Sequence, residues 1–261
     1  MSELEKLRKE IDQIDVDILS LLKARMDIVA KVGEYKKKNQ DKFFIRSARE
    51  ADMIKDIVKK SKDTNLPSSA IISIWRKIIT SANIFEQDLK IGIWNPNSDS
   101  SLPYMIKDYY LSDINLKNFS SISKLLSSCE VNIIALPHSK KEEIKWWKEI
   151  SKQSNDLKVY AKLPFLSNSD QEIFIAAAKN MEQSKEDKSL LVVDFLAKEQ
   201  SDIAGIVTKL SYGKATILDS LKSGDLASAL IEVPSFIDDE AEINSKLKAD
   251  NVGVKIVGCY S

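Results

Sequence analysis

A long amphipathic stretch at the start of the 261-residue sequence constrains the fold more than any other feature. Its apolar residues recur at spacings of three and four, the period of one helix face. They are Leu4, Leu7, Ile11, Ile14, Ile18 and Leu21. The pattern continues to Arg25, Ile28 and Val32, and no proline interrupts it before Asn39. The sequence therefore predicts a first helix of more than ~30 residues, or ~50 Å, whose length suggests packing against a partner chain.

Two shorter helices are predicted after the first. Residues 4–88 contain one proline and one glycine and are rich in helix-forming residue types. The apolar pattern places a second helix at about Ser47–Lys62 and a third at about Pro67–Gln87. We therefore predict an all-helical domain over residues 1–88.

Short apolar runs replace the helical pattern after Asp88. LKIGIW, VNIIALP and LKVYAKLPFL are typical of strands, and KKEEIKWWKEI is typical of a helix. From Ser189 onward the predicted order is strand, helix, strand, strand, helix, strand, which is the ferredoxin-like arrangement. The sequence thus predicts a multi-domain chain, in which the helical domain precedes a small α/β linker domain at 89–187 and a ferredoxin-like domain at 188–261.

Composition and charge exclude several classes of function. Lysine and arginine number 39, as do aspartate and glutamate, so the zero net charge favours neither nucleic acid nor an anionic membrane as a partner. No apolar run approaches the ~20 residues of a membrane span, and the charged N-terminus does not resemble a signal peptide. Two cysteines and one histidine fit no metal site. We expect a cytoplasmic protein without metal or cofactor.

Arginine is confined to the first third of the chain, whereas lysine supplies the positive charge everywhere else. Arg25 stands on the apolar seam of the first helix, where a charge is expensive unless it is paired. Lys36 follows eleven residues later, within ~20° on the same face and ~16 Å along the axis. The gap between these two side chains suits a small dianion. In the alternative interpretation, Arg25 pairs with an acid from another helix.

Further charges occupy helix positions suited to a ligand. Arg49 and Glu50 open the second helix, where an arginine fork beside a carboxylate suits a ligand with both an acid and a hydroxyl. Glu86 extends the apolar face of the third helix. The alternatives are a surface ion pair and a solvated helix end. Arg8 lies ~25 Å before Arg25 on one helix, so it is either a surface charge or part of a site on a second copy of the chain.

These residues resemble a known family. The stretch LRKEIDQIDVDILSLLKAR, the G-x-x-K of Gly33 to Lys36 and the ARE of residues 48–50 are similar to the all-helical AroQ chorismate mutases, over about residues 4–88. The resemblance implies three helices in an intertwined homodimer that converts chorismate to prephenate. Such an intramolecular rearrangement requires no nucleophile, metal or cofactor, only a held conformer and stabilised charge.

The resemblance also implies a role for each charged residue. Arg8 would reach into the partner's site and join Arg25 on the substrate carboxylates. Lys36 would contact the ether oxygen as the C–O bond breaks. Glu50 would bind the ring hydroxyl, and Arg49 would support the same side of the substrate pocket. Arginine forks suit carboxylates better than lysine does, which accounts for the uneven arginine distribution.

Three positions depart from the family pattern or carry a consequence. Glu86 falls where the family has Gln or Glu beside the ether oxygen, and a Glu must be protonated to donate there. We therefore predict activity that falls as pH rises and Glu86 ionises, a trend that Glu86→Gln flattens. Arg46 replaces an Asp near the substrate hydroxyl. Ala82 replaces a common substrate-binding Ser, so one carboxylate hydrogen bond is missing.

The C-terminal segment resembles the ACT domain of prephenate dehydratases through SALIEVPSFIDDEAEINSKLKADNVGVKIVGCYS. Leu221 stands where phenylalanine-sensing members carry an arginine, so a sensing role and a purely structural, dimerising role stay open. Residues 89–187 are shorter than a dehydratase domain requires and contain no arginine, so we expect a degenerate, catalytically silent linker. The alternative to an enzyme is a non-catalytic aromatic-amino-acid-sensing or partner-binding protein with a vestigial mutase domain.

Overall fold

The structure, a computed structural model, describes residues 2–39, 44–138, 144–153, 157–166, 171–196, 215–247 and 252–261. The chain divides into two compact units. The helical unit comprises Met1–Ile45 and Ile78–Asp88, and the sheet unit comprises Arg46–Lys77 and Leu89–Ser261. The predicted helical segment therefore contributes residues to both units.

Three helices form in the first third of the chain, as predicted. They are α1 (Glu3–Lys38), α2 (Ser47–Lys60) and α3 (Ser68–Glu86). A capping box starts α1, in which the Ser2 hydroxyl accepts from the Glu5 amide and the Glu5 carboxylate accepts from the Ser2 amide. No helix in the described part of the chain is long and apolar enough to cross a membrane.

The apolar seam of α1 is exposed. Gly33 is the one buried residue that the structure describes in this helix. The seam's large apolar side chains are each at least 40% exposed in the single chain. They are Leu4, Leu7, Ile11, Ile14, Ile18, Leu21, Ile28 and Val32. An exposed apolar face of this extent is typical of an interaction surface.

The sheet unit adds strands and short helices after α3. Its strands are β1 (Lys90–Trp94), β2 (Asn115–Phe119), β3 (Ile133–His138), β4 (Leu157–Leu163), β5 (Glu172–Ala178), β6 (Lys188–Leu196), β7 (Thr216–Ser223), β8 (Leu226–Val233) and β9 (Gly253–Tyr260). Its later helices are α4 (Ser101–Tyr109), α5 (Ile122–Leu126), α6 (Trp146–Ser151) and α7 (Glu240–Leu247). The prediction of an all-helical segment followed by an α/β region is confirmed.

The described strands form one sheet in the order β2-β1-β3-β5-β4-β9-β6-β8-β7. β1 runs parallel to β2 and β3, whereas β5 is antiparallel to β3 and β4. The last four strands, β9-β6-β8-β7, are antiparallel to their neighbours within that group. β4 meets β9 in parallel through the single register pair Val159↔Gly258. The predicted domain boundary at residue 188 therefore falls between strands of one continuous sheet.

The position of β6 between two core clusters explains why the run SLLVVDFL contains so few polar residues. Leu190 and Val192 belong to the core cluster that includes α6, whereas Leu191, Val193 and Phe195 belong to the cluster that includes α7. Alternate side chains of a strand point to opposite faces, so β6 is buried on both. A strand buried on both faces reads as a continuous apolar run.

Several elements were missed by the sequence analysis or lie outside the described residues. β2 and β5 were not predicted, nor were α4 and α5. The predicted helix SDIAGIVTKLSY lies outside the described residues. Of the predicted helix KKEEIKWWKEI, the structure describes the C-terminal half as α6.

Candidate active site

Lys36 and Glu86 meet in the helical unit. The Lys36 ammonium lies 2.7 Å from Glu86 Oε2 and donates to the Phe44 carbonyl oxygen at 3.0 Å. The two charged side chains are only 13% and 5% exposed. This is a partly buried ion pair between the last turns of α1 and α3. The family resemblance places both of its residues beside the ether oxygen of the substrate.

Gly33 of α1 lies next to the Glu86 side chain. A Cβ added at Gly33 would lie 3.4 Å from Glu86 Cγ, at the near limit of ordinary contact. Gly33 precedes Lys36 by three residues, so both lie on neighbouring parts of one helix face. The G-x-x-K motif thus brings two positions of α1 to the Glu86 side chain, and its lysine binds the carboxylate.

Arg25 presents a donor that has no partner within the described chain. It is half-buried on α1, and its Nη1 nitrogen is buried without a hydrogen-bond partner among the described residues. An unsatisfied buried donor costs ~1–3 kcal/mol, and more when it is charged. The alternative in which this nitrogen pairs with an acid of another helix is not observed among the residues that the structure describes. A buried and unpartnered guanidinium donor is suited to binding an anion.

Arg8 lies exposed on α1, 17 positions before Arg25 in the same continuous helix. At the helical rise the two residues are ~25 Å apart along the axis, so one small ligand cannot touch both within one chain. The role of Arg8 stays a prediction.

Glu50 is held in the sheet unit by an arginine that the sequence analysis had not assigned to the site. Arg76 Nη1 donates to Glu50 Oε2 at 3.0 Å, and the two side chains are 6% and 12% exposed. Arg49, the neighbour of Glu50, is exposed on α2. A weak signal for Arg76 was available, because it is the one arginine of the third helix.

The two departures from the family pattern have distinct surroundings. Arg46 Nη1 forms an ion pair with Glu182 at 2.9 Å, so its charge is directed to another part of the sheet unit. Ala82 is buried at 6% exposure and has no side chain that can hydrogen-bond a carboxylate. The structure groups no three or more metal-ligating side chains among the residues it describes.

The helical unit thus presents an unpartnered guanidinium donor on α1 and a partly buried ion pair between Lys36 and Glu86. Residues 7–87 match the family model described as chorismate mutase type II. This match confirms the predicted resemblance for the helical segment.

Two curated relatives are similar to part of this chain. A protein of Aquifex aeolicus (strain VF5) described as bifunctional chorismate mutase/prephenate dehydratase is 33% identical over 101 residues, which are 38% of this chain and 28% of that protein. The T-protein of Enterobacter agglomerans is 31% identical over 88 residues, 34% of this chain and 23% of its own length. This chain thus covers about a quarter of the length of the curated relatives it matches.

Three solved structures are similar at low identity. The prephenate dehydratase from Staphylococcus aureus subsp. aureus Mu50 has a TM-score of 0.48 at 6% identity, over 66% of this chain and 100% of that one. The prephenate dehydratase from Streptococcus mutans has 0.44 at 12%, over 66% and 97%. A chain described as GqqA, a novel type of quorum quenching acylases, has 0.47 at 8%, over 67% and 95%. Likeness at this level says nothing about the function of this chain.

Proposed function

We propose that this chain catalyses the rearrangement of chorismate to prephenate. The observation that carries the proposal is Arg25 Nη1, a buried donor without a partner among the described residues, on the helix face that also carries Lys36. A substrate carboxylate supplies the missing acceptor and forms a charge-assisted hydrogen bond. The family match of residues 7–87 and the name of the Aquifex relative support the same substrate.

The proposed mechanism requires only positioning and charge stabilisation. Arg25 binds a carboxylate and holds the substrate in a compact conformer. Lys36 donates to the ether oxygen, where negative charge develops as the C–O bond breaks. Glu86 lies 2.7 Å from the Lys36 ammonium and adds a second donor when it is protonated. Glu50 accepts a hydrogen bond from the ring hydroxyl, and Arg49 supports the same wall.

The proposal includes a homodimer built on α1. Its exposed apolar seam runs from Leu4 to Val32 with one charged residue, Arg25, and a second copy of the helix would remove the apolar surface from water. A two-fold pair of antiparallel helices places residue i of one copy against residue j of the other. Arg8 of one copy can then serve the site that contains Arg25 of the other, which the ~25 Å separation forbids within one chain.

The rest of the chain enters the proposal as accessory structure. We propose domains at 1–88, 89–187 and 188–261, with a catalytically silent middle segment and a cytoplasmic location. An ACT-like structural or regulatory role for 188–261 is supported by the order β9-β6-β8-β7, which is the order fourth, first, third, second of a ferredoxin-like sheet.

The test is to mix the purified full chain with chorismate and follow the loss of substrate. The product is identified as prephenate by its conversion to phenylpyruvate in mild acid. Turnover to prephenate is the expected result. Absence of turnover across the near-neutral pH range would overturn the enzyme and leave the non-catalytic sensing or partner-binding protein as the function to seek.

A further inference from the structure

Arg76 is a buried charge whose surroundings are set by distant parts of the sheet unit. Its side chain is 6% exposed, and a buried guanidinium is costly unless its charge is compensated. Its Nη1 pairs with Glu50, as described above. Its guanidinium carbon also lies 4.4 Å from the ring centre of Tyr109 and 4.9 Å from that of Phe165. Both rings are within the range of a cation–π contact.

The two rings belong to elements of the α/β region. Tyr109 ends α4, and Phe165 follows the last residue of β4 by two positions. Neither ring is part of the segment 7–87 that matches the mutase family. The partner of Glu50 is therefore itself held by residues that a stand-alone mutase segment does not contain.

The start of α2, which carries Glu50, is fixed to the same region. Lys179 donates to the Ser47 hydroxyl at 3.0 Å, and Arg46 pairs with Glu182. Both contacts lie within one turn of Glu50 on the N-terminal side. The backbone and the carboxylate of Glu50 are thus both restrained by contacts with the α/β region.

We propose that Arg76 is the positioning residue for the Glu50 carboxylate and that Tyr109 and Phe165 hold Arg76 in place, so that the α/β region completes the mutase site. This inference rests on the proposed function and deepens it. Arg76 fixes Oε2 of Glu50, which restricts a side chain with three rotatable bonds to one orientation. A carboxylate displaced by ~1 Å lowers the rate by up to ~100-fold, which makes such a restraint effective.

The test compares kcat and KM for chorismate in wild type, Arg76→Met, Glu50→Gln and the double variant. We expect Arg76→Met to lower kcat by roughly 10- to 100-fold. In the Glu50→Gln background, the same change should alter kcat by less than about twofold, because Arg76 acts only through Glu50. The double variant also removes both members of the buried pair, so it leaves no lone charge if Arg76→Met fails to fold.

Lys145→Met is the matched control. Lys145 forms an ion pair with Asp219 at 3.1 Å, with side chains 8% and 6% exposed, so the change breaks a buried pair of the sheet unit that includes none of Glu50, Arg76 and the two rings. We expect it to lower the melting temperature while kcat per folded molecule stays within about twofold of wild type. Phe165→Leu keeps the ion pair but removes one ring, and we expect it to lower kcat by about two- to tenfold.

The outcomes separate this inference from the proposed function. An active wild type with Arg76→Met and Glu50→Gln effects that multiply would overturn the positioning role alone. An equal loss of kcat in Lys145→Met would do the same, because the loss of any buried ion pair in the sheet unit would then explain the effect. A wild type that does not convert chorismate overturns both the positioning role and the mutase function.

Discussion

Most of the apolar side chains of α1 are exposed in the single chain, whereas most of those of β6 are buried. In the 36-residue α1 the one described buried residue is Gly33, and Leu21 is 71% exposed. In β6 every residue from Ser189 to Val193 is at most 1% exposed. Burial of apolar area is the main favourable term in folding, so β6 obtains within the single chain what α1 does not. The proposed homodimer would bury the apolar side chains of α1 that the single chain leaves exposed.

The two units also differ in how their buried charged side chains are paired. In the sheet unit Lys145 and Asp219 form an ion pair at 3.1 Å with side chains 8% and 6% exposed. Trp147 Nε1 donates to the same carboxylate at 3.0 Å. In the helical unit Arg25 Nη1 is buried without a partner among the described residues. In the sheet unit Arg76 Nε is also buried without a partner among the described residues, but that guanidinium is paired with Glu50 through Nη1. No ion pair of Arg25 is found among the described residues, so the two buried guanidinium groups differ in whether their charge is compensated.

The largest effect is expected from Arg25→Ala. Loss of a preorganised donor to a charged group typically lowers kcat by about 10²–10³-fold. We expect a loss of at least this size in chorismate turnover, with little loss of stability, because the removed nitrogen has no partner among the described residues. Initial rates at saturating chorismate and thermal unfolding measure the two quantities.

Lys23→Ala is the control for Arg25→Ala. Lys23 is on the same helix, is 79% exposed and forms only a surface pair with Asp27 at 3.4 Å. We expect wild-type turnover from it. If Arg25→Ala retained wild-type turnover, or Lys23→Ala lost as much, the unpartnered donor would not be the substrate-binding group.

The next largest effect is expected from Ile14→Asp, which places a charge on the exposed apolar seam. Burial of an unpaired carboxylate is strongly unfavourable, and a two-fold interface would bury two of them. We expect the dimer to dissociate at concentrations where the wild type is dimeric, measured by light scattering over a dilution series. Chorismate turnover should fall with it, because Arg8 would no longer reach a second copy.

Ser20→Asp adds the same charge to the same helix on the opposite face. Its position is 200° from that of Ile18 on the helix, well away from the seam. We expect this variant to stay dimeric and active. A monomeric wild type would contradict the interpretation of the seam, as would equal dissociation by both variants.

A third prediction concerns the junction between the two halves of the sheet. A Cβ added at Gly258 would lie 2.3 Å from the Val159 carbonyl oxygen, and a backbone atom cannot move aside cheaply. We expect Gly258→Ala to lower the free energy of unfolding by ~1–3 kcal/mol, as overpacking does. Gly253→Ala is the control in the same strand, because nothing lies within 4 Å of its added Cβ. Equal unfolding midpoints in denaturant would show that β4 and β9 do not approach this closely.

The helices could be predicted from the sequence because their signals are local. The seam of α1 repeats every three or four residues, and Ser2 and Glu5 give a capping box within one turn. The burial of β6 on both faces is also visible as a continuous apolar run. By contrast, β2 was missed because NLKNF alternates little and lies at the edge of the sheet, half exposed.

The missed part of the site is non-local. Arg76 meets Glu50 across 26 positions, and its two rings come from 33 and 89 positions further along the chain. No period or motif connects residues at such separations, so only the folded chain shows that Glu50 has a fixed partner. For the same reason, the sequence could not predict the single register pair Val159↔Gly258, which joins the predicted middle and C-terminal domains in one sheet.

The smallest effect is expected from Glu86→Gln, and it concerns the shape of a pH profile. A carboxylic acid can donate to the ether oxygen, whereas a carboxylate cannot, so an activity that uses this donor is expected to be higher at low pH than at high pH. Lys36 Nζ lies 2.7 Å from Glu86 Oε2, and the side-chain oxygen of a glutamine could accept the same hydrogen bond. The glutamine amide group donates at every pH. We therefore expect a flatter profile of kcat against pH.

Asp88→Asn makes the same chemical change two residues later at an exposed position and should keep the wild-type profile. Identical profiles for wild type and Glu86→Gln would limit Glu86 to orienting Lys36 by their ion pair.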